Sequence, residues 1–543
     1  MLAGQMMNTQ LTITSIMEHA DKVYPDSEIV SLTSDNGLHR YTYADSFIRI
    51  RKLANALANS GVEQGDRIAT LAWNDYRHLE LYYAISCSGA VCHTINPRLF
   101  SEQIEFIVNH AQDKILFIAP EFVGIIESLI DKLPSLKKII VLTDDEHMPD
   151  SKLTNLQSYE AYIAQESDTF QWPKLEENTA SSLCYTSGTT GNPKGVLFSH
   201  RSTVLHCYGA VMPDSLNFSV HDVILPIVPM FHVNAWSIPY SAVMVGAKLV
   251  MPGAKMADGN SLSQLINGEG VTFSAGVPTI WLALLNHLQA SSIQIPSLER
   301  VVVGGAACPV SIMDQFSEYG VDVIHAWGMT ESSPVGTVNT LKPGMESLEK
   351  IQLDKIRAKQ GRPVYGVDIK ISDSHGNEQP WDGESLGEIK IRGPWICEGY
   401  YKLEQSDAHD NDGWFSTGDV GFIDKEGYMQ ITDRTKDVIK SGGEWISSID
   451  LENAVMAHPE VAEAAVIGIA HSKWTERPLL VMVKNTEAQV NEQSILQFLR
   501  GKVANWWLPD AVSFVDALPH TATGKLSKKD LREQFKDYQF PTA

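Results

Sequence analysis

Cysteine is scarce in this chain, six in 543 residues at positions 87, 92, 184, 207, 308 and 397, and no two of them form a C-x-x-C pair. That scatter excludes a zinc-ligand spacing and a disulfide framework, and it leaves free thiols suited to a reducing cytoplasm. Cationic residues are short as well: 43 Lys and Arg stand against 66 Asp and Glu, for a formal charge of −23. No nucleic-acid partner is expected, because phosphate backbones need clustered cations. No apolar run reaches the ~20 residues that span a bilayer. The most apolar stretch, 238–251, carries Lys248, so no integral membrane segment is expected. The opening Met1-Leu2-Ala3-Gly4-Gln5-Met6-Met7 lacks a basic n-region and an unbroken apolar h-region, and no secretory signal is expected. What is present is an ordinary globular mixture, 43% hydrophobic and 20% charged, in a chain too long for one core.

Periodicity gives the organisation. Apolar residues recur at helical spacing over 43–60 and stop at Gly61, and 67–72 reads as a buried strand. Helices over 101–110 and 122–133 alternate with strands at 115–118 and 138–142, and the alternation returns between 271 and 305. This pattern predicts an α/β chain whose large N-terminal domain, 1–435, is built of largely parallel, helix-covered sheets. From about 360 the texture changes to short strands punctuated by glycine, such as 367–371 and 387–391, which suggests a β-rich subdomain reaching 435. Residues 436–543 return to mixed helix and strand and predict a small α+β C-terminal domain.

One stretch carries chemistry on its face. Residues 185–196 read Tyr-Thr-Ser-Gly-Thr-Thr-Gly-Asn-Pro-Lys-Gly-Val. Thr186, Ser187, Thr189 and Thr190 supply hydroxyls, Gly188, Gly191 and Gly195 open the backbone N–H groups to close approach, and Lys194 adds charge. Such a loop between two strands suits a polyphosphate. It is not a Walker loop, because Lys194 is followed by Gly195 and Gly188 is wrongly spaced from it.

The loop resembles the signature of the adenylate-forming superfamily, and further motifs of that family follow in order at 231–236, 304–307, 327–331, 417–419, 433–445 and 521–525. The resemblance implies an AMP-forming acyl-CoA synthetase, an acid–thiol ligase that joins a carboxylate to ATP as an acyl-adenylate and passes the acyl group to coenzyme A, with Mg²⁺ as cofactor. Carried onto this chain, it implies that Thr186 and Glu331 hold the metal, and that Thr186, Ser187, Gly188, Thr189, Thr190, Gly191 and Lys194 surround the phosphates. Gly305, Ala306, Ala307, Ala326, Trp327, Gly328, Met329 and Thr330 would face the nucleotide, Trp327 offering an aromatic surface. Asp419 and Arg434 would take the ribose. Lys525 would reach the α-phosphate and the carboxylate, joining Glu331, Thr186 and His232 as the catalytic set. His232, Trp236, Gly304 and Pro334 would border the acyl pocket, Lys436 would be a hinge, and Lys440, Gly442, Gly443, Glu444 and Trp445 would line a pantetheine channel.

Each motif has a plainer reading when taken alone. Gly304 and Gly305 suit any strand-to-helix turn, Asp419 a Gly turn, Arg434 a surface charge, Lys525 a solvated basic tail, and Trp236 a core position. The runs 229–236 and 442–448 resemble bacterial fatty acyl-CoA ligases and 3-methylmercaptopropionate CoA ligases, which implies a short- or medium-chain aliphatic acid and a homodimer. Delivery to a carrier protein, a long-chain fatty acid, and a catalytically silent nucleotide-binding protein stand as alternatives.

Overall fold

The apolar spacing after Tyr43 forms helix Tyr43–Asn59 in the computed structural model, which describes residues 2–33, 37–154, 156–186, 192–373, 375–404, 407–441, 444–471, 473–485, 489–520 and 526–540. Thr42 and Asp45 close its start reciprocally: the Asp45 N–H donates to Thr42 Oγ1 at 3.2 Å and the Thr42 N–H to Asp45 Oδ2 at 3.0 Å. Tyr43, Phe47, Ile50, Leu53 and Leu57 form its buried face. Gly61, at φ +75°, lets the chain turn back afterwards.

Two compact units emerge, Met1–Asp368 with Arg392–Asp407, and Ile369–Ile391 with Ala408–Ala543. In the first, a seven-stranded sheet runs in the order Leu156–Ser158, Lys138–Val141, Ile115–Ile118, Arg67–Leu71, Val91–Thr94, Ala180–Thr186, Lys194–Ser199. All its neighbours are parallel except the last pair. A nine-stranded sheet carries the parallel sequence Asp322–Gly328, Arg300–Val303, Phe273–Gly276, Val223–Pro226, Lys248–Met251 and Glu28–Leu32, with antiparallel strands at both ends. Trp281, fully buried on helix Pro278–Ser291, anchors the core beneath it with Leu284, Leu288, Phe316 and Val301.

One element departs from the periodic reading. The helix expected over 122–133 is three short pieces, Pro120–Phe122, Val123–Glu127 and Ile130–Lys132. The Ser128 hydroxyl donates to the Ile125 carbonyl at 2.7 Å, a local bond that competes with helix continuation. The apolar stretch 238–251 divides into helix Ile238–Val245 and strand Lys248–Met251 at Gly246, where an added Cβ would fall 2.3 Å from the Tyr24 ring. No described helix is long and apolar enough to cross a membrane.

The second unit holds a four-stranded sheet, Asp368–Ser372, Gly387–Arg392, Phe415–Ile423 and Met429–Arg434, and a five-stranded sheet centred on Val461–His471 and Thr475–Lys484. Packing groups the β-rich stretch with the tail: buried Asp433 accepts the Ser448 N–H at 2.5 Å, and Lys528 Nζ reaches Ser448 Oγ at 2.5 Å. Lys436, where the change of sequence texture set a domain junction, lies within this unit.

Candidate active site

The hydroxyl-rich loop closes an antiparallel hairpin. Ala180–Thr186 and Lys194–Ser199 pair so that Thr186 stands opposite Lys194 and Tyr185 opposite Gly195. Residues 187–191 lie outside the described residues, so the placement of Ser187, Gly188, Thr189, Thr190 and Gly191 rests on the sequence. The base of the hairpin is pinned from the side, because the Tyr401 N–H donates to the Gly195 carbonyl at 2.8 Å. A Cβ on Gly195 would come within 3.2 Å of Tyr401 Cβ and of the Tyr185 ring, so a larger residue there would push these neighbours back by a few tenths of an ångström.

Glu331 sits beside it on a short turn, Thr330–Ser332, that follows strand Asp322–Gly328. The turn folds on itself: the Met329 N–H donates to the Pro334 carbonyl at 3.2 Å and to Ser332 Oγ at 3.0 Å. Glu331 is only 7% exposed, and the Tyr400 hydroxyl donates to its Oε1 at 2.7 Å. The same phenol ring takes Lys194 on its face, with Nζ 4.8 Å from the centroid. Burial, and then the Glu331 carboxylate, raise the Tyr400 pKa far above the phenol range, so the hydroxyl stays a donor. The structure thus brings Thr186, Lys194 and Glu331 into one neighbourhood through Tyr400. Sequence reading had not singled out Tyr400, and the run Gly399-Tyr400-Tyr401-Lys402 gives no local signal for it.

Trp236 lies in an unusual backbone. Val233, Asn234, Ala235, Trp236 and Ser237 have φ of 40, 53, 47, 58 and 56°, a left-handed turn made without glycine. Left-handed helical backbone costs roughly 1–2 kcal/mol per residue, so the turn persists only because its surroundings hold it. Asn234 Nδ2 donates to Ser182 Oγ at 3.0 Å, the Cys184 thiol donates to Asn234 Oδ1 at 3.4 Å, and the Ser237 hydroxyl donates to the Ser333 carbonyl at 3.3 Å. The Trp236 indole, 8% exposed, lies on Gly304, where a Cβ would stand 2.7 Å from Cη2. Trp236, Gly304 and the Ser333-Pro334 segment are therefore neighbours. His232, by contrast, is exposed.

Behind Pro334 the next residue is held at both backbone groups. The Val335 N–H donates to His206 Nε2 at 3.1 Å, and Trp395 Nε1 donates to the Val335 carbonyl at 3.1 Å. Burial lowers the His206 pKa to about 3, which keeps the imidazole neutral and able to accept. Neither residue stood out in the sequence. Strand Arg300–Val303 ends in buried Gly304 and exposed Gly305, Ala306 and Ala307. Ala326, Trp327 and Thr330 are buried, Gly328 and Met329 partly so, and the Trp327 ring lies on Gly336.

In the second unit, Asp419 and Arg434 face each other across an antiparallel pair, Arg434 Nε 2.9 Å from Asp419 Oδ1. Asp419 is in strand Phe415–Ile423, not in a turn, and is 3% exposed, while the Arg434 side chain is 52% exposed. Lys436 is exposed in the turn that follows. Ile439–Ser441 and Glu444–Ile446 form a hairpin with Lys440 opposite half-buried Trp445 and Ser441 opposite Glu444. Gly442 and Gly443, and Lys525 with 521–524, lie outside the described residues.

Comparison with known proteins places this geometry. Over 97% of each chain the fold matches the crystal structure of the anthranilate CoA ligase AuaEII in complex with anthranoyl-AMP, with a TM-score of 0.82 at 26% identity. The fold is that of an adenylate-forming enzyme. Residues 17–401 match the AMP-binding enzyme family and 450–525 the AMP-binding enzyme C-terminal domain. The chain is 48% identical over 537 residues to a 3-methylmercaptopropionyl-CoA ligase of Ruegeria lacuscaerulensis, covering 99% of both. It is 49% identical to a medium-chain-fatty-acid–CoA ligase of Ectopseudomonas oleovorans, covering 99% of this chain and 98% of that one. The chain belongs to the AMP-binding enzyme family and is an AMP-forming acid–thiol ligase of the acyl-CoA synthetase kind.

Gly328 makes the turn beneath Glu331 testable. A Cβ there would fall 1.8 Å from the Pro334 carbonyl oxygen, so Gly328→Ala must displace the turn. A shift of that kind should slow carboxylate-dependent ATP–pyrophosphate exchange by roughly 10²-fold. Wild-type exchange by a folded Gly328→Ala enzyme would contradict the assignment.

Proposed function

We propose that this ligase activates a short- or medium-chain aliphatic carboxylate, with 3-methylmercaptopropionate a specific candidate. The carboxylate oxygen attacks the α-phosphorus of ATP and pyrophosphate leaves; the coenzyme A thiol then attacks the acyl carbon and AMP leaves. The observation that carries the reading is the contact of Tyr400 with both Lys194 and Glu331 at the mouth of the hydroxyl-rich hairpin. The relatives at 48% and 49% identity support the choice of acid.

Two anions must meet in the first step, so the site needs fixed donors and positive charge where the phosphoryl oxygens gather it. Thr186 and residues 187–191 supply hydroxyls and N–H groups, and Lys194 supplies charge from the facing strand. Glu331 and Thr186 would hold Mg²⁺. A carboxylate and a hydroxyl suit its preference for hard oxygen ligands and leave positions for phosphate oxygens and water. Among the described residues no cluster of three or more His, Cys, Asp or Glu offers the ion a denser cage. When bound, the ion would offset charge along the phosphates. Asp419 and Arg434 take the ribose, Gly305 to Ala307 and Ala326 to Thr330 the base, and His232, Trp236, Gly304 and Pro334 border the acid.

Lys525 acts in the first step only. The segment from Lys436 onward then turns about that residue, removes Lys525, and brings Lys440, Gly442, Gly443, Glu444 and Trp445 to the pantetheine arm. That loop favours coenzyme A over a carrier protein as acceptor. The family resemblance supports a homodimer, and six unpaired thiols support a cytoplasmic setting.

Separating the half-reactions tests the scheme. Lys525→Ala should slow acyl-adenylate formation by about 10²–10³-fold or more, and leave thioester formation from supplied acyl-adenylate largely intact. Equal loss of both would refute the assignment. Trp236→Ala should raise KM for the acid and broaden the accepted chain lengths, with KM for ATP little changed. If the indole were only core packing, melting would instead show a loss of ~3–5 kcal/mol with an unchanged acid profile in the folded fraction.

A further inference from the structure

Three consecutive residues of the segment Arg392–Asp407 grip three different elements. The Tyr400 hydroxyl donates to Glu331, the Tyr401 N–H donates to Gly195 on the hairpin, and Lys402 Nζ donates to the His110 carbonyl at 2.8 Å and to Gln112 Oε1 at 3.1 Å. His110 stands in the last turn of helix Ser101–Ala111, which Gln112 ends in the left-handed conformation. The His110 ring in turn reaches the hairpin. Its Nδ1 lies 2.7 Å from the Tyr185 hydroxyl, and the ring meets Tyr185 and Tyr401 edge-on, with centroids 5.8 and 5.6 Å apart.

The direction of this bond is fixed by its surroundings. Burial, and then the Asp113 carboxylate, raise the Tyr185 pKa far above the phenol range, so the hydroxyl is the donor. Burial, and then the charges of Lys402 and His93, lower the His110 pKa, so the imidazole is neutral and Nδ1 accepts. Tyr185 immediately precedes Thr186, and its ring lies on Gly195, the residue after Lys194. Tyr185 thus stands beside both ends of the hydroxyl-rich loop, where the chain enters it at Thr186 and leaves it at Lys194.

We propose that Tyr185 and His110 are positioning residues for acyl-adenylate formation, their hydrogen bond fixing Thr186 and Lys194 in place for the phosphates of ATP. The proposal rests on the reading of residues 186–194 as the phosphate cradle. A hairpin can swing about its base unless its strands are tied from the side. Here strand Ala180–Thr186 is tied by Tyr185 to helix Ser101–Ala111, and strand Lys194–Ser199 by Tyr401 to the segment that carries Tyr400. Donors that must meet a polyphosphate at hydrogen-bond distance lose effect when their support shifts by a fraction of an ångström.

The test compares Tyr185→Phe, His110→Leu, His110→Asn and the double variant Tyr185→Phe/His110→Leu in two assays, carboxylate-dependent ATP–pyrophosphate exchange and thioester formation from supplied acyl-adenylate, with melting temperature recorded on each preparation. Tyr185→Phe removes only the hydroxyl and should raise KM for ATP about three- to tenfold, leaving KM for the acid and thioester formation within about twofold of wild type. His110→Leu should do the same, and the double variant no more than either single one, because all three lose the same bond. His110→Asn sets an amide oxygen close to the place of Nδ1 but gives up the ring packing on Phe106 and Tyr401, so exchange should return to near wild type while the melting temperature does not. A wild-type KM for ATP in folded Tyr185→Phe would overturn the proposal, as would equal loss of both half-reactions, additive losses in the double variant, or an asparagine variant as slow as the leucine one. If His110→Leu does not fold, Tyr185→Phe and His110→Asn decide the matter. Lys194→Met tells the two readings apart. If it raises KM for ATP and Tyr185→Phe does not, the tie fails and the cradle stands; if neither raises it, the cradle reading fails and the proposal falls with it.

Discussion

A buried carboxylate is costly unless it is partnered, and the site is organised around meeting that cost at Glu331. The Tyr400 hydroxyl donates to it at 2.7 Å, a hydrogen bond to a charged group and so among the stronger kinds. The Cys397 N–H donates to the Glu331 carbonyl at 2.8 Å, and the Tyr401 N–H donates to Gly195 on the hairpin at 2.8 Å. Residues 397–401 therefore hold the acidic turn and the basic hairpin together. Because the Tyr400 ring also carries Lys194 on its face, the cation and the anion share one neutral support. Opposite charges thus stand in fixed places, which is the condition for electrostatic preorganisation.

The surroundings of Trp236 are built differently, from strain and small residues. Five left-handed residues, 233–237, aim Trp236 onto Gly304, and the hydrogen bonds of Asn234 and Ser237 hold them there. The same Ser237 bond reaches Ser333, and Ser333 reaches Trp395. One chain of contacts thus links Ser237, the residue after Trp236, to Trp395.

Much of this was legible in the sequence. Period and glycine placement gave helix Tyr43–Asn59, and the hydroxyl-rich loop fell between two strands as read, Ala180–Thr186 and Lys194–Ser199. The failure at 122–133 was local chemistry: Ser128 spends its hydroxyl on a backbone carbonyl, which periodicity does not record. Tyr400 and Trp395 were missed for another reason. Their partners Glu331 and Val335 lie 69 and 60 residues away, and a lone aromatic carries no mark of a distant contact. The left-handed turn was hidden because Val-Asn-Ala-Trp-Ser contains no glycine to announce it, only Asn234, which tolerates such a backbone better than the rest.

The most direct measurement is ATP–pyrophosphate exchange by Tyr400→Phe over a range of Mg²⁺ concentration, with melting temperature as the control. Removing one hydroxyl from a bond to a buried carboxylate costs about 1.5–3 kcal/mol, so exchange at limiting Mg²⁺ should fall about tenfold or more and recover in part as Mg²⁺ rises. A folded Tyr400→Phe enzyme with wild-type exchange and wild-type Mg²⁺ dependence would contradict the placing of phosphate and metal chemistry at Glu331.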